Sequence, residues 1–148
     1  MVEELDRDQY VFVMGEDIGR YQGTFRVTQG LHEKYGSKRI LDTPIVEPGF
    51  TGIAIGAAMT GLRPIVEMMT MSFSILALDQ IINHAAKIHY MTGGQVTCPL
   101  VVRGPGGAAN QLSAQHSHSV EGWYAHCPGL KVVAPSNPED FYGMLRTA

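Results

Sequence analysis

Asp42-Thr43-Pro44-Ile45-Val46-Glu47-Pro48-Gly49-Phe50, running on into Thr51-Gly52-Ile53-Ala54-Ile55-Gly56-Ala57-Ala58, sets one carboxylate between two prolines at the mouth of a small-sided apolar helix. Pro44 and Pro48 fix their own φ and restrict the residue before each, so Glu47 is presented on a loop with few conformers. Gly52 and Gly56 are four apart and share a helix face, which admits a close approach by another backbone or a ligand. A carboxylate held there, half out of water, is suited to a raised pKa and to proton chemistry. The plainer alternative is a first-turn acid favoured by the helix dipole.

Working outward, the spacing predicts a helix over 49–60 that stops at Gly61 as a left-handed cap, with a strand over Arg63–Met68 after it and another over Lys38–Asp42 before it. Strand, helix and strand in that order read as a right-handed crossover between parallel strands. Upstream, residues 1–8 read as an acidic helix and Tyr10–Met14 as a buried strand of β-formers. Gly15-Glu16-Asp17-Ile18-Gly19 through Gly23 then forms a loop carrying two acids at a strand's carboxyl end, where open α/β sheets keep their sites. Thr28–Tyr35 reads as a short helix closed by Gly36.

Downstream, Ile75, Leu78, Ile82, Ala85 and Ala86 predict one helix over Phe73–Met91, stopped by Gly93-Gly94. Cys98–Arg103 reads as a fourth strand, Gly122–Cys127 as a short helix and Lys131–Ala134 as a fifth strand. Asn137 caps a last helix with Pro138 at its first position and acids in its first turn. Between Arg103 and Gly122 runs a long polar loop, and loops beyond about 12 residues inside a compact domain are usually functional. The fold class that follows is α/β, a doubly wound, mainly parallel sheet in one domain over 1–148. The unfinished last helix reads as a chain cut at both ends from something longer.

The totals narrow the function. With 148 residues the chain has one domain's worth of core. A net charge of −3 without a basic run argues against nucleic acid as partner. No apolar run reaches the roughly 20 residues of a membrane span, and the first residues lack a signal peptide's regions. Cys98 and Cys127 allow at most one bridge, which favours a reducing compartment. Seventeen glycines and 45% hydrophobic residues with few charges point to large covered interfaces.

Among the chemistry-bearing groups, Gln115-His116-Ser117-His118 with His126-Cys127 lacks any recognised zinc spacing. His116, on a glycine-flanked loop, reads better as a proton donor or acceptor near a substrate, against the alternative of a solvated histidine. Gly104-Pro105-Gly106-Gly107 makes neither a dinucleotide fingerprint nor a Walker pattern, which argues against an unrelated nucleotide-binding domain. Met68, Met69 and Met71 beside Phe73 read as core filling or as a soft wall around a ring.

Several phrases stand together in register: Met14-Gly15-Glu16-Asp17; Asp42-Thr43-Pro44-Ile45 with Glu47 and Gly49-Phe50; Gly52-Ile53-Ala54 to Gly61-Leu62-Arg63-Pro64; Phe73 with Asp79-Gln80; Tyr90-Met91-Thr92-Gly93-Gly94; Arg103-Gly104-Pro105; Ala114-Gln115-His116-Ser117; and Trp123 to Gly129. On these the chain resembles the β-subunit family of the thiamin-diphosphate-dependent decarboxylating component of 2-oxo acid dehydrogenases, most of all its pyruvate branch. The resemblance implies a transketolase-like pyrimidine-binding domain. It also implies oxidative decarboxylation of pyruvate with transfer of acetyl to lipoyl groups. Branched-chain 2-oxo acid and acetoin enzymes are the near alternatives, and a non-catalytic truncated fragment or interaction module is another.

By that resemblance Glu47 bonds ring nitrogen N1′ of the cofactor's aminopyrimidine, Phe73 packs on the ring, Glu16 is a further acid near the cofactor, and His116 assists acetyl transfer. Main-chain oxygens of Leu100 and Ala148 are implied as part of a potassium site whose other ligands fall beyond this sequence. The diphosphate and its Mg²⁺ are implied to sit on an α subunit, since no Gly-Asp-Gly motif with a downstream Asn occurs here. The implied partners are that α subunit, a second β subunit and the lipoyl acyltransferase core, in the bacterial cytoplasm or an organelle matrix.

Overall fold

A computed structural model describes residues 1–108 and 111–148. Its centre is a parallel sheet of four strands, β1 (Val11–Gly15), β2 (Ile40–Asp42), β3 (Arg63–Glu67) and β4 (Val101–Arg103), in the order β2-β1-β3-β4. Helices α1 (Val2–Arg7), α2 (Leu31–Tyr35) and α3 (Glu47–Met59) alternate with the first three strands. The chain steps outward from β1 to β2, then doubles back to β3 on the other side of β1. That reversal opens a crevice at the carboxyl ends of β1 and β3, the usual ligand position in such sheets.

Both faces of the sheet are covered, because successive strand residues point opposite ways. Val11, Val13, Ile40 and Ile65 pack with Leu5, Ile18 and Leu31 on one face. Phe12, Met14 and Val66 pack with Phe50, Ala54, Met68 and Ala77 on the other. This two-sided burial explains why the strands read as unbroken apolar runs. Register is tight: Gly15 pairs with Glu67, and a Cβ on Gly15 would come within 2.3 Å of the Glu67 carbonyl oxygen.

Three expectations are corrected. The single helix over Phe73–Met91 is instead a 3₁₀ segment (Met71–Ala77), a π turn (Gln80–Ala85) and α4 (Ile88–Met91). A polar side chain competes with the helical ladder there: Ser74 Oγ donates to the Met71 carbonyl at 2.6 Å. The π turn meets Gly129, whose missing Cβ would lie 2.0 Å from the Ala86 carbonyl oxygen. That contact also bears on the fifth strand. Lys131–Ala134 forms no strand, because Gly129 holds the segment's start over Ala86 and away from β4.

Glu47 is the third correction, since it is the first residue of α3 and not a loop residue. The remaining elements are a 3₁₀ turn (Ala114–His116), α5 (Glu121–Ala125) and α6 (Pro138–Thr147), the last capped by Asn137 Oδ1, which accepts from the Asp140 amide at 2.8 Å. The expected long loop is present between β4 and α5, with residues 109 and 110 outside the described ones.

Candidate functional site

Parallel strands put all their carboxyl ends on one edge, and the chain places a charge at each. Glu16 leaves β1, Asp42 closes β2, Glu67 closes β3 and Arg103 closes β4. Asp42 spends its carboxylate on structure: Oδ1 accepts from the Gly19 amide at 2.6 Å and Oδ2 from the Arg20 amide at 3.0 Å. These bonds, with the Thr43 amide donating to the Gly15 carbonyl at 3.0 Å, tie the loop after β1 to the end of β2.

Glu47 is 5% exposed, so it is buried rather than half in water. Among the described residues its carboxylate accepts no hydrogen bond from a side chain or amide. Glu16 is likewise 5% exposed, and its Oε1 is buried without a partner. Burial pushes the Glu16 carboxyl up to about 7, with the negative charges of Glu47 and Asp17 adding to the effect. The two acids are therefore close enough for the charge of Glu47 to act on Glu16. Near neutral pH it holds a proton a good part of the time.

Thr51 lies one turn after Glu47 on α3, fully buried, with Oγ1 lacking a partner. Orphaned polar atoms of this kind cost free energy and so mark a place where a partner is expected. Phe73 and His116 meet each other, ring centroids 5.1 Å apart at 72°, edge to face. The segment bearing Phe73 packs on α3, with Met71 and Ala77 against the core of Phe50 and Ala54. Glu16 and Glu47 form one pair and Phe73 and His116 another, the second tied to the first through α3, which Glu47 opens and on which the Phe73 segment packs.

Leu100 and Ala148 border a groove of about 790 Å³ between β4 and the segment from Gly129 onward. Among the described residues no three His, Cys, Asp or Glu side chains gather as a metal site, and His126 is exposed. Of the methionines, Met68 is fully buried core, while Met69 lines a cavity of about 10 Å³ that Glu16 and Glu67 also reach. That is room for roughly one water.

Glu67 escaped the sequence reading. It pairs with Arg103, both side chains about nine-tenths hidden, and burial drives its carboxyl up to about 7 against the opposing pull of Arg103. The available signal was an acid ending one apolar strand and a base ending the next. Of the two small residues on α3, Gly52 lies against Gln80, where a Cβ would meet Oε1 at 3.2 Å, and Gly56 has open space.

The family model described as the transketolase pyrimidine binding domain matches residues 1–148. The chain is 58% identical over 148 residues to a protein named pyruvate dehydrogenase E1 component subunit beta from Rickettsia felis, covering 45% of it. It is 57% identical to the mitochondrial protein of that name from Homo sapiens, covering 41%. It spans less than half the length of these curated relatives. Among solved structures, one named split gene transketolase, inactive beta4 tetramer, superposes with a TM-score of 0.62 at 17% identity, over 86% of this chain and 37% of that one. That likeness bears on the fold alone. The family model covers residues 1–148, and the chain belongs to the transketolase pyrimidine-binding domain family.

Proposed function

We propose that this chain is the pyrimidine-binding part of a pyruvate dehydrogenase β subunit, working with an α subunit in thiamin-diphosphate-dependent decarboxylation of pyruvate. The observation that carries the reading is a pair of buried acids at the switch point, Glu47, whose carboxylate accepts no hydrogen bond among the described residues, and Glu16, with an orphaned oxygen. The relatives' names supply the substrate.

The residues fit an aminopyrimidine. Glu47 offers a largely buried acceptor to a ring N–H, Thr51 Oγ1 offers a hydroxyl, and Phe73, paired with His116, offers an aromatic ring. Thiamin diphosphate, when bound, supplies a nucleophilic carbon and an electron sink. Glu47 holds a proton at the pyrimidine nitrogen, and its burial strengthens that bond relative to water. Glu16, with its carboxyl near 7, keeps a proton beside Glu47 and limits the negative charge there. His116 stands where a proton is exchanged with an incoming lipoyl group, steadied by the Phe73 ring.

Mg²⁺ and the diphosphate are assigned to the α subunit, as the resemblance to the β-subunit family implies. A potassium ion held through the Leu100 and Ala148 carbonyls needs ligands from beyond this sequence. A second β subunit and the acyltransferase core complete the assembly, in bacterial cytoplasm or an organelle matrix. The α-subunit face is the small-residue side of α3, where Gly56 is open and Ile53 is two-thirds exposed.

The test is pyruvate oxidation with an artificial electron acceptor, by the full-length β subunit with its α subunit. The expected result is turnover that requires thiamin diphosphate and favours pyruvate over branched 2-oxo acids. A preference for branched acids would replace the substrate, and turnover without the cofactor would overturn the reading.

A further inference from the structure

Glu67 and Arg103 are facing neighbours in the β3–β4 ladder. Their side chains pair, 11% and 12% exposed. Apolar residues of similar size at both places would hold a sheet at least as well, so stability does not account for the pair. What distinguishes Arg103 is its place in the chain, since the loop bearing His116 begins at the next residue. There Gly104 lies so close to β3's exit that a Cβ would stand 2.6 Å from the Met68 carbonyl oxygen.

From that root the loop follows one rail, residues 68–72. The Met68 amide donates to the Arg103 carbonyl at 2.7 Å, and the Met71 amide donates to the Pro105 carbonyl at 2.7 Å. Thr70 Oγ1 donates to the same Pro105 carbonyl at 3.3 Å. The loop returns to the rail two residues after His116: the His118 amide donates to Ser72 Oγ at 3.2 Å, and the Gly107 amide closes the loop's neck on the His118 carbonyl at 3.0 Å. Ser72 adjoins Phe73, the ring against His116. On the other side the Arg103 guanidinium lies 5.2 Å over the Phe141 ring of α6.

We propose that Glu67, acting through Arg103, is a positioning residue that fixes the root of the loop and thereby seats His116 against Phe73. The role rests on the function proposed above for His116. The planar guanidinium is held by Glu67 on one edge, so its direction, and that of the backbone leaving it, is set by the carboxylate. Removing the carboxylate frees the root while the strands around it stay packed.

The test uses the full-length β subunit assembled with its α subunit, as Glu67→Gln, Arg103→Met and the apolar pair Glu67→Leu with Arg103→Met. Hydrogen exchange is read at Gly107 and His118 against Val13 and Val66. All three variants are expected to speed exchange at the loop amides about tenfold while the sheet amides hold. Transfer of acetyl to lipoyl groups is expected to fall about tenfold or more, with dye-coupled decarboxylation kept within about threefold, since an ångström of misplacement is costly. Loop amides and transfer unchanged in Glu67→Gln, or transfer restored by the apolar pair, would overturn the proposal. A His116→Ala control that loses both assays equally refutes the role of His116 instead, and the exchange measurement still decides whether Glu67 seats the loop.

Discussion

Between Val11 and Glu67 the chain buries Val13, Ile40, Ala54 and Val66 completely, whereas from Lys131 to Ala148 not one side chain is buried. The first region also carries Glu16 and Glu47, fixed where two strands diverge. The second borders an open groove of about 790 Å³, with Val133 and Tyr142 more than half exposed. A carboxylate that must meet one ring nitrogen needs a rigid frame, because its position is set by packing. The lightly packed end has surface to spare for other chains, and the loop with His116 joins the two.

The largest effect expected is on folding. Phe50→Ala should destabilise by about 3–5 kcal/mol in urea unfolding, the range for a buried aromatic, and Phe141→Ala by less than about 1. Equal losses would erase the contrast between the regions.

A pH experiment sharpens it. Because burial raises the Glu16 carboxyl from 4.5 to about 7, the folded chain keeps a proton that the unfolded chain releases. Its cost to stability is therefore absent below the ordinary carboxylate range and grows as pH rises through about 7. Glu16→Gln should remove that slope and gain up to about 3 kcal/mol at pH 8, at about 1.4 kcal/mol per unit. Parallel unfolding curves for parent and variant at pH 5 and pH 8 would show Glu16 to be solvated.

The smallest effect concerns α3. Gly56→Ala puts a methyl into open space in a helix and should stabilise the chain by about 0.5–1 kcal/mol. If that face receives the α subunit, the same methyl weakens assembly, as gel filtration would report. Unchanged assembly would move the partner elsewhere.

Much of this was legible in the residues. Tyr10–Met14 and Arg63–Met68 are apolar without alternation, and that continuity is what burial on two faces produces. Pro44, Pro48 and Gly61 punctuate α3 at its two ends. The acid pair was half legible: Glu47 stood out by its prolines and Glu16 by following a strand, but their proximity is a product of strand order. Lys131–Ala134 misled because Val132 and Val133 have strand propensity, and propensity cannot show that Gly129 is committed to Ala86. The break near Met71–Ala85 was hidden for a similar reason, as the Ser74 bond to the Met71 carbonyl competes with helical spacing. Glu67 and Arg103 become a pair only through the register of β3 with β4.

The central claim is that the rigid region presents Glu47 to a pyrimidine ring. Its most direct test is turnover of Glu47→Gln in the assembled enzyme at saturating thiamin diphosphate, with the unfolding midpoint measured alongside. The account predicts a fall of at least about 10²-fold, the scale of a lost acid–base group, with the midpoint little changed. Turnover within a few-fold of the parent would contradict it.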